Sequence, residues 1–546
     1  MKKSVAIFIV LAIVLVIFFV AIEFMGTNET ETTEGFDHNG RVEQVSSISQ
    51  DRLNRQAEVD KRLKNEYTDG SYSFQDPFIE LDPYDATPLA ALAKFSTPEP
   101  ATIKVTVEGK DGGGDIQHTY AAYNKEHSVP ILGLYPDYDN TVTIAATTND
   151  GETMTTKLTI QTDALPDDFL TIDQVDAEPK RMESGLTFIV PSGMYAYALD
   201  HNGDVRWYSS IWNRHVFKRL ENGHLLFLTQ EDGQDQYNEL LEMDMLGKVT
   251  ADYHVDLEGF ENNNPVHHDV IELPNGNFLA TVHDTDTAFV QDKMIEIDRD
   301  TGETVREFSF EDVFPASFYD DYDGTQADDG DWFHQNAIQY MEEDDAILVS
   351  SRHQSLTMKM SYPSGDIHWI LASHDHWPES FEKYLLEPQG DDFKFPGGPH
   401  SVVTLPDFDN NAETTDYLLF DNNIALARGN EDLSKMFSRG VQYRVNADDR
   451  TVEEVWSYGE ERGYSMYSNI VGDANYDPGT GNRLITSGYT PDPDDSDKRI
   501  SRIVEVTDDQ PADVVYEVAI SGFETGSYRQ AYRALRMPIY PRKEWH

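Results

Sequence analysis

Four histidines at the start of similar segments are the residues of this chain whose type and spacing point to chemistry. They open the segments HVFKRLENG at 215–223, HDVIELPNG at 268–276, HQNAIQY at 334–340 and HSVVTLPD at 400–407. A single histidine in a repeated strand is usually a packed or capping side chain. Several at equivalent positions are harder to explain by packing, since stability alone would not select an ionisable, directional group over Val or Thr.

Two kinds of site fit these histidines together with Arg352. Three neutral imidazoles could hold zinc or copper. An arginine beside such a metal would be repelled, whereas guanidinium and imidazolium donors together suit an oxyanion such as a sulfate or phosphate group. One neutral histidine could then attack sulfur or phosphorus and carry the group covalently. The oxyanion site is the better match.

The other polar candidates have plainer interpretations. His215 is assigned a structural role, because its segment carries no other polar signal. His267 should point to the opposite face from His268 by strand alternation, and His353 should support Arg352. The loop trio His374, Asp375 and His376 could bind a metal, but an exposed acidic loop is the preferred interpretation.

The elements that must position these residues form a repeat after residue 166. Six alternating hairpins recur, at 197–207, 241–249, 295–305, 359–369, 443–452 and 504–514. The histidine segments lie between them, so each unit has two hairpins and four strands. Such units bury their apolar faces only by stacking, which predicts a β-propeller of six blades over residues 167–546, with seven blades as the alternative.

This repeat also predicts where the side chains meet. If the histidine-led strand is the innermost of its blade, the leading residues ring one mouth of the central channel, with Ser468 in the fifth blade. In the third blade the chain runs down from His334, turns at 342–345 and returns to Ser351. That return delivers Arg352 to the same mouth.

The chain before the propeller divides into three parts. Residues 1–26 carry Lys2, Lys3 and an uninterrupted apolar run at 5–22, which predicts an uncleaved membrane anchor rather than a cleaved signal peptide. The lysines place the rest of the chain outside the cytoplasm. Residues 27–76 are predicted to be a polar spacer with one helix at 49–67, so truncation at residue 76 should leave the propeller folded. Residues 77–166 contain segments with a period of two, separated by Gly-rich turns, which predicts a small β-sandwich.

Composition excludes several classes of function. The 546 residues include 99 Asp and Glu against 42 Lys and Arg, a formal net charge of −57, which opposes nucleic-acid binding and suits high salt. The chain has no cysteine, which excludes disulfides, thiolate metal sites and thiol nucleophiles. We therefore expect an all-β, salt-adapted ectodomain.

Six short motifs resemble the bacterial PAPS-independent arylsulfate sulfotransferases. They are DWFHQNAI at 331–338, SSRHQ at 350–354, IHWIL at 367–371, FDN at 420–422, FSR at 437–439 and WSYGEERG at 456–463. The resemblance covers nearly all of residues 77–546, including ILGLYP at 131–136. It implies a six-bladed propeller that moves a sulfuryl group between phenols by a ping-pong route through a sulfohistidine.

The resemblance also implies roles for single residues. It places the nucleophile at His400 and sulfuryl-binding groups at His268, His334 and Arg352, with no metal or other cofactor. The expected partners are an aryl sulfate donor, a phenolic acceptor, the membrane, and a second copy of the chain in a homodimer. Two alternatives stay open: a non-catalytic propeller that binds an anion or a surface partner, and a sulfatase or phosphodiesterase that uses water as acceptor.

Overall fold

A computed structural model describes residues 44–541, apart from 111–112, 231–235, 258–263, 284–288, 291, 321, 325–329, 425–435, 496 and 524–528. The predicted membrane anchor and residues 27–43 lie outside this range. Among the helices of the described residues, none is both long and apolar enough to cross a membrane.

The first elements are β1 (Ser46–Ile48), α1 (Asp51–Asp69), β2 (Phe78–Leu81), β3 (Ala90–Val107), β4 (Ile116–Leu132), β5 (Asp139–Thr148) and β6 (Thr153–Gln161). The next are β7 (Thr171–Ala177), β8 (Leu186–Leu199), β9 (Val205–Arg214), β10 (Phe217–Arg219), β11 (Leu225–Gln230), β12 (Tyr237–Met243), β13 (Val249–Val255), β14 (Val266–Glu272), β15 (Phe278–Val282), β16 (Lys293–Ile297) and β17 (Thr304–Ser309).

Then come β18 (Gln335–Met341), β19 (Ala346–Ser351), β20 (Leu356–Ser361), β21 (Ile367–Leu371), α2 (Glu379–Glu382), β22 (Glu387–Gln389), β23 (His400–Thr404), β24 (Thr414–Asp421), β25 (Arg439–Asn446) and β26 (Thr451–Tyr458). The last are β27 (Asp473–Tyr476), β28 (Arg483–Pro491), β29 (Arg499–Val506), β30 (Val514–Ser521) and β31 (Ala531–Met537), and short 3-10 turns lie at Phe310–Asp312, Ala316–Phe318 and Glu460–Met466.

After residue 170 the described strands form six sheets. Five of them are led by β10, β14, β18, β23 and β27, each paired with the strand that follows it in the chain. All six predicted hairpins are present, as β8–β9, β12–β13, β16–β17, β20–β21, β25–β26 and β29–β30. The chain is therefore an all-β propeller, and the six sheets are its blades.

The sixth blade joins the two ends of the propeller. β31, close to the C-terminus, pairs with the first half of β8, and the second half of β8 pairs with β9. Ion pairs also connect the inner strands. Asp269 of β14 contacts Lys218 of β10 at 2.9 Å and Arg533 of β31 at 3.3 Å. This pairing closes the ring and holds the leading ends of the inner strands at one mouth.

The region predicted as a β-sandwich contains five strands that hydrogen bonds join into a single sheet, β2-β3-β5-β6 with β4 on β3. The register of β3 against β4 shifts between Ser96 and Ala101. Apolar residues from both halves of β3, such as Phe95 and Val105, belong to one core. The hydrogen bonds thus form one sheet with a break in register, whereas the predicted β-sandwich would have two sheets.

Residues 44–76 correct the prediction of a polar spacer. The helix occupies Asp51–Asp69, close to the predicted range, but β1 adds to β13 as an edge strand and the helix packs on the same blade. Arg52 contacts the buried carboxylates of Glu239 at 2.8 Å and Asp252 at 3.4 Å. Truncation at residue 76 would uncover that edge and leave two buried carboxylates without their arginine, so it should destabilise the propeller.

Candidate active site

The structure brings the predicted histidines to one mouth of the channel. His334 immediately precedes β18 and His215 lies two residues before β10, while His268 lies early in β14 and His400 begins β23. His215, His268 and His334 have left-handed backbones, with φ of 58°, 41° and 54°, and in the fourth blade Ser401 next to His400 has φ 57°. Such φ values are uncommon outside glycine and turn each side chain away from the regular strand pattern.

Ring contacts connect these side chains across blades. The ring centroids of His268 and His334 are 4.6 Å apart, and those of His215 and His268 are 5.3 Å apart. Tyr532, from the sixth blade, stacks on His215 at 4.3 Å and lies 6.4 Å from His400. Five blades therefore supply one continuous group of rings, with Tyr532 as a residue that the sequence did not indicate.

The fifth blade differs from the sequence prediction. The residue with the left-handed backbone there is Val471, with φ 53°, two positions before β27. Ser468, predicted to hold that place, instead uses its backbone carbonyl to accept a hydrogen bond from the Asn422 amide at 2.8 Å. The fifth blade thus contributes support rather than an ionisable group.

His400 is buried and has a fixed tautomer. Its Nδ1 lies 2.6 Å from Asn422 Oδ1. The Asn422 Nδ2 group donates to the carbonyls of Ser468 at 2.8 Å and Val471 at 3.1 Å, so its oxygen must face the histidine. His400 therefore donates from Nδ1, and its Nε2 carries the lone pair.

The loop before His400 is held closely against the end of β24. Gly397 N donates to Asp421 Oδ1 at 2.9 Å, and Ile424 N donates to Gly397 O at 3.0 Å. A Cβ at Gly397 would lie 2.7 Å from the Ile424 carbonyl oxygen, so a side chain does not fit. Asp421 also accepts from Arg439 at 3.1 Å. These contacts fix the backbone that presents His400.

Arg352 lies where the sequence predicts, at the end of β19. Its backbone N donates to the carbonyl of His334 at 3.0 Å. Its Nη1 donates to Nε2 of His353 at 2.8 Å, and its Nη2 donates to the carbonyl of Asn469 at 3.2 Å. The Nε atom is buried and has no hydrogen-bond partner in the part of the chain that the structure describes. His353 therefore supports Arg352, as predicted, and the guanidinium retains donor capacity for an anion.

The remaining two site histidines differ in their partners. His334 donates from Nδ1 to Oδ2 of Asp331 at 2.6 Å. His268 Nδ1 lies 2.8 Å from Nδ1 of His267, so one ring donates and the other accepts. His334 thus has a carboxylate that would stabilise its protonated form. His268 has only another imidazole, and His267 does not point away from it as predicted.

Burial and neighbouring cations keep these imidazoles neutral. Burial, with the Arg352 charge as the next cause, lowers the pKa of His400 to about 3. Burial also lowers the pKa values of His268 and His334 well below the ordinary value. Arg352 acts on the pKa of both His334 and His400, so its charge reaches both rings. The mouth therefore holds a neutral nucleophile candidate beside a fixed cation.

The alternative that these side chains bind a metal can be tested by asking whether their lone pairs are available to coordinate one. Within the described ranges, one trio of metal-ligand types has its atoms within 4.8 Å of one another, namely Asp331, His334 and His353. The lone pair of His353 Nε2 already accepts from Arg352, because His353 Nδ1 donates to the carbonyl of Asp331 at 2.5 Å. A guanidinium at that position favours an anion over a metal cation. His374 instead donates to the carbonyl of Leu386 at 2.9 Å.

Sequence reasoning missed Asp331 and Asn422 as partners of the site histidines. Asn422 follows the second strand of the fourth blade just as Arg352 follows the second strand of the third. The same reasoning about a returning strand would have placed Asn422 beside His400. Asp331 gave a weaker signal, because it precedes its strand and no repeat position marks it.

Comparisons with known proteins show the family of this chain. The family model for arylsulfotransferase (ASST) matches residues 171–533, and the model for the arylsulfotransferase Ig-like domain matches residues 78–163. The chain belongs to the arylsulfotransferase family. Its propeller and the five-stranded domain before it both lie within the matched residues.

Two relatives are named arylsulfate sulfotransferase AssT. The protein from Lelliottia amnigena is 26% identical over 509 residues, covering 73% of this chain and 82% of its own length. The protein from Escherichia coli O6:H1 is 23% identical over 505 residues, with the same coverage. Among solved structures, the Cps50 (Swd1) β-propeller domain has a TM-score of 0.32 and 9% identity, covering 64% of this chain and 99% of that domain.

Membership of the arylsulfotransferase family gives the quoted motifs a structural meaning. Asp331, Arg352, Asn422 and Arg439, each in one of those motifs, contact either a mouth histidine or the loop that presents His400.

Proposed function

We propose that this chain is an arylsulfate sulfotransferase in which His400 carries the sulfuryl group between two phenols. The observation that supports this most is the fixed tautomer of His400. Asn422 holds Nδ1–H, so the Nε2 lone pair is available at a mouth that also holds the Arg352 cation. A nucleophile and an anion-binding group at one place are what transfer from a sulfate monoester requires.

In the first half-reaction, the donor sulfate would bind against Arg352, with His334 and His268 around the sulfuryl oxygens. His400 Nε2 attacks sulfur, the bond from sulfur to the aryl oxygen breaks, and a phenolate leaves. The transition state is loose and its charge lies on the non-bridging oxygens, so positioned donors provide most of the catalysis. Phenols have pKa values of about 10, which makes phenolate a far better leaving group than an alkoxide.

Donor binding should also take up a proton. His334 gives Nδ1–H to Asp331, so its Nε2 can donate to a sulfuryl oxygen only as imidazolium. The bound anion and Asp331 both favour that form. We therefore expect proton uptake on donor binding, measurable as a calorimetric enthalpy that changes with the ionisation enthalpy of the buffer.

In the second half-reaction, the oxygen of the acceptor phenol attacks sulfur and the bond from sulfur to His400 Nε2 breaks. The electron pair returns to the imidazole, and the enzyme is ready for another donor. This ping-pong sequence needs no cofactor, because the sulfuryl group moves from one ester to another through the chain's own histidine.

The test is to supply 4-nitrophenyl sulfate with and without phenol. Without acceptor, intact-mass analysis should show one sulfuryl adduct on a peptide that contains His400, and phenol should remove it. Phenol should also accelerate nitrophenol release. Release that phenol leaves unchanged would instead indicate water as acceptor. No release and no adduct would favour the non-catalytic binding propeller.

The location and assembly of the protein are part of the same proposal. The apolar run at residues 5–22 behind Lys2 and Lys3 supports a membrane anchor that keeps the propeller outside the cytoplasm. A mature protein whose first residue lies beyond Gly26 would contradict the anchor. The predicted homodimer is tested by light scattering on the purified ectodomain.

A further inference from the structure

His215 is the mouth histidine that the sulfuryl transfer proposed above leaves without a role. Its ring stacks on Tyr532 at 4.3 Å and lies 5.3 Å from His268. It keeps a left-handed backbone with φ 58° at the same place in its blade as the other site histidines. A side chain that only filled space there could be any residue that tolerates this backbone, such as Asn or Gly.

The hydrogen bonding of His215 differs from that of its neighbours. His334, His400 and His268 each have Nδ1 in a hydrogen bond, to Asp331, Asn422 and His267 respectively. The Nδ1 of His215 is buried with no partner among the described residues. A ring with an uncommitted nitrogen can change its protonation state without breaking a hydrogen bond to the protein.

The chemistry of the second half-reaction leaves one proton to be placed. A phenol with a pKa of about 10 is roughly 0.1% ionised at pH 7, so the acceptor must lose its proton as it attacks sulfur. His400 cannot take it, because its Nε2 is bonded to sulfur at that stage. His334 is committed to Asp331 and to the sulfuryl oxygens.

We propose that His215 is the general base that removes the proton from the phenolic acceptor. This inference rests on the proposed sulfuryl transfer. The acceptor O–H bond breaks, its proton goes to a ring nitrogen of His215, and the phenolate oxygen forms the new bond to sulfur. The bond from sulfur to His400 breaks at the same time, and His215 then releases the proton to water. Burial and the charges of Arg214 and Arg533 lower the pKa of His215, so its ring is neutral before the acceptor binds.

The test separates the two half-reactions in His215→Asn, since asparagine tolerates a left-handed backbone. The full-length enzyme is loaded with 4-nitrophenyl sulfate, freed of excess donor, and mixed with phenol or with a fluorinated phenol that is already ionised at the assay pH. The nitrophenol burst should keep its rate. Loss of the adduct to phenol should slow by about 10²–10⁴-fold, the usual contribution of a general base, while loss to the ionised phenol should change little.

His376→Asn is the matched control, because His376 also has a left-handed backbone, with φ 63°, but lies in an exposed loop. Equal slowing with both acceptors, or no slowing with phenol, would overturn the proposal for His215. If His215→Asn does not fold, His215→Gln is measured in the same way. A wild-type enzyme that forms no adduct would instead reject the sulfuryl transfer itself.

Discussion

The two sides of the channel mouth use the same backbone positions in different ways. On the third and fourth blades, His334 and His400 have their Nδ1 atoms fixed by side-chain oxygens of Asp331 and Asn422. On the first blade, His215 has a stacked ring, and its Nδ1 has no partner within the described ranges. In the first four blades the repeat places a histidine at this position, and the neighbouring residues decide whether that histidine is held in one tautomer.

This difference suggests how a repeat acquires chemistry. Fixing the tautomer suits a group that must present one lone pair or one donor at a defined place. Leaving the ring uncommitted suits a group that exchanges protons. The oxygen partners come from outside the inner strands, so they can vary between blades while the strands keep the same pairing.

The largest expected effect is that of His400→Ala. It removes the atom that carries the sulfuryl group, so both half-reactions should be lost, along with the adduct detected by intact-mass analysis. His374→Ala, in an exposed loop, serves as the control and should retain activity. A His400→Ala enzyme with near wild-type turnover, or an adduct on another peptide, would show that the nucleophile lies elsewhere.

Loss of an anion-binding group should have a smaller effect. Arg352→Ala removes the guanidinium and His334→Ala removes the imidazole beside Asp331, and each should slow steady-state turnover by about 10²–10³-fold, by analogy with the loss of an oxyanion donor. Arg352→Lys should rescue little, because an ammonium cannot both donate to His353 and present a planar fork to the sulfuryl group. Full activity in Arg352→Lys would mean that charge alone suffices.

Asn422→Leu tests the fixed tautomer directly. Without the amide oxygen, the acceptor that remains for His400 Nδ1 is the Gly398 carbonyl at 3.3 Å, and the tautomer that carries the proton on Nε2 would become more populated. We expect kcat to fall by about 10–100-fold, as for other partners that orient a ligand or catalytic histidine. The adduct should still form, but more slowly, whereas His400→Ala forms none. An unchanged burst rate in Asn422→Leu would break the proposed contrast between the two sides of the mouth.

Much of this arrangement could be read from the sequence, because it follows from strand periodicity. The six hairpins and the delivery of Arg352 by β19 depend only on alternation and turn spacing, which are local. The pairing of β31 with β8 could not be read in this way, since it joins segments more than 300 residues apart and no repeat marks them. The pairing of β1 with β13 could not be predicted either, because no repeat marks β1.

The site supports were harder to predict for a related reason. Asn422 and Asp331 lie in loops, where neither period 2 nor the repeat fixes the direction of a side chain. The polar composition of residues 44–76 suggested a spacer, but composition does not reveal that Arg52 meets two buried carboxylates. The spacer prediction failed because these contacts join residues distant in the chain.

The pH dependence of stability concerns both sides of the mouth. Burial lowers the pKa values of nine described histidines, and seven of them lie in or contact the ring group at the mouth, which are His215, His267, His268, His283, His334, His353 and His400. Below a pH of about 6.5 the histidines of the unfolded chain bind protons that the same histidines do not bind in the folded chain. Unfolding therefore becomes easier as the pH falls.

Each such histidine lowers the free energy of unfolding by up to about 1.4 kcal/mol per pH unit, from near pH 6.5 down to its folded pKa of about 3 for His283, His353 and His400. Calorimetry in 1 M salt, which screens the net charge of −57, should show a lower Tm at pH 5.5 than at pH 7.5. His215→Asn and His400→Asn should each flatten that dependence, because burial rather than the hydrogen-bond partner is the first cause in both. A Tm that stays level or rises on acidification would mean that these rings accept protons in the folded state. A flatter pH dependence in only one of the two variants would mean that the hydrogen-bond partner, not burial, sets the protonation of the mouth histidines.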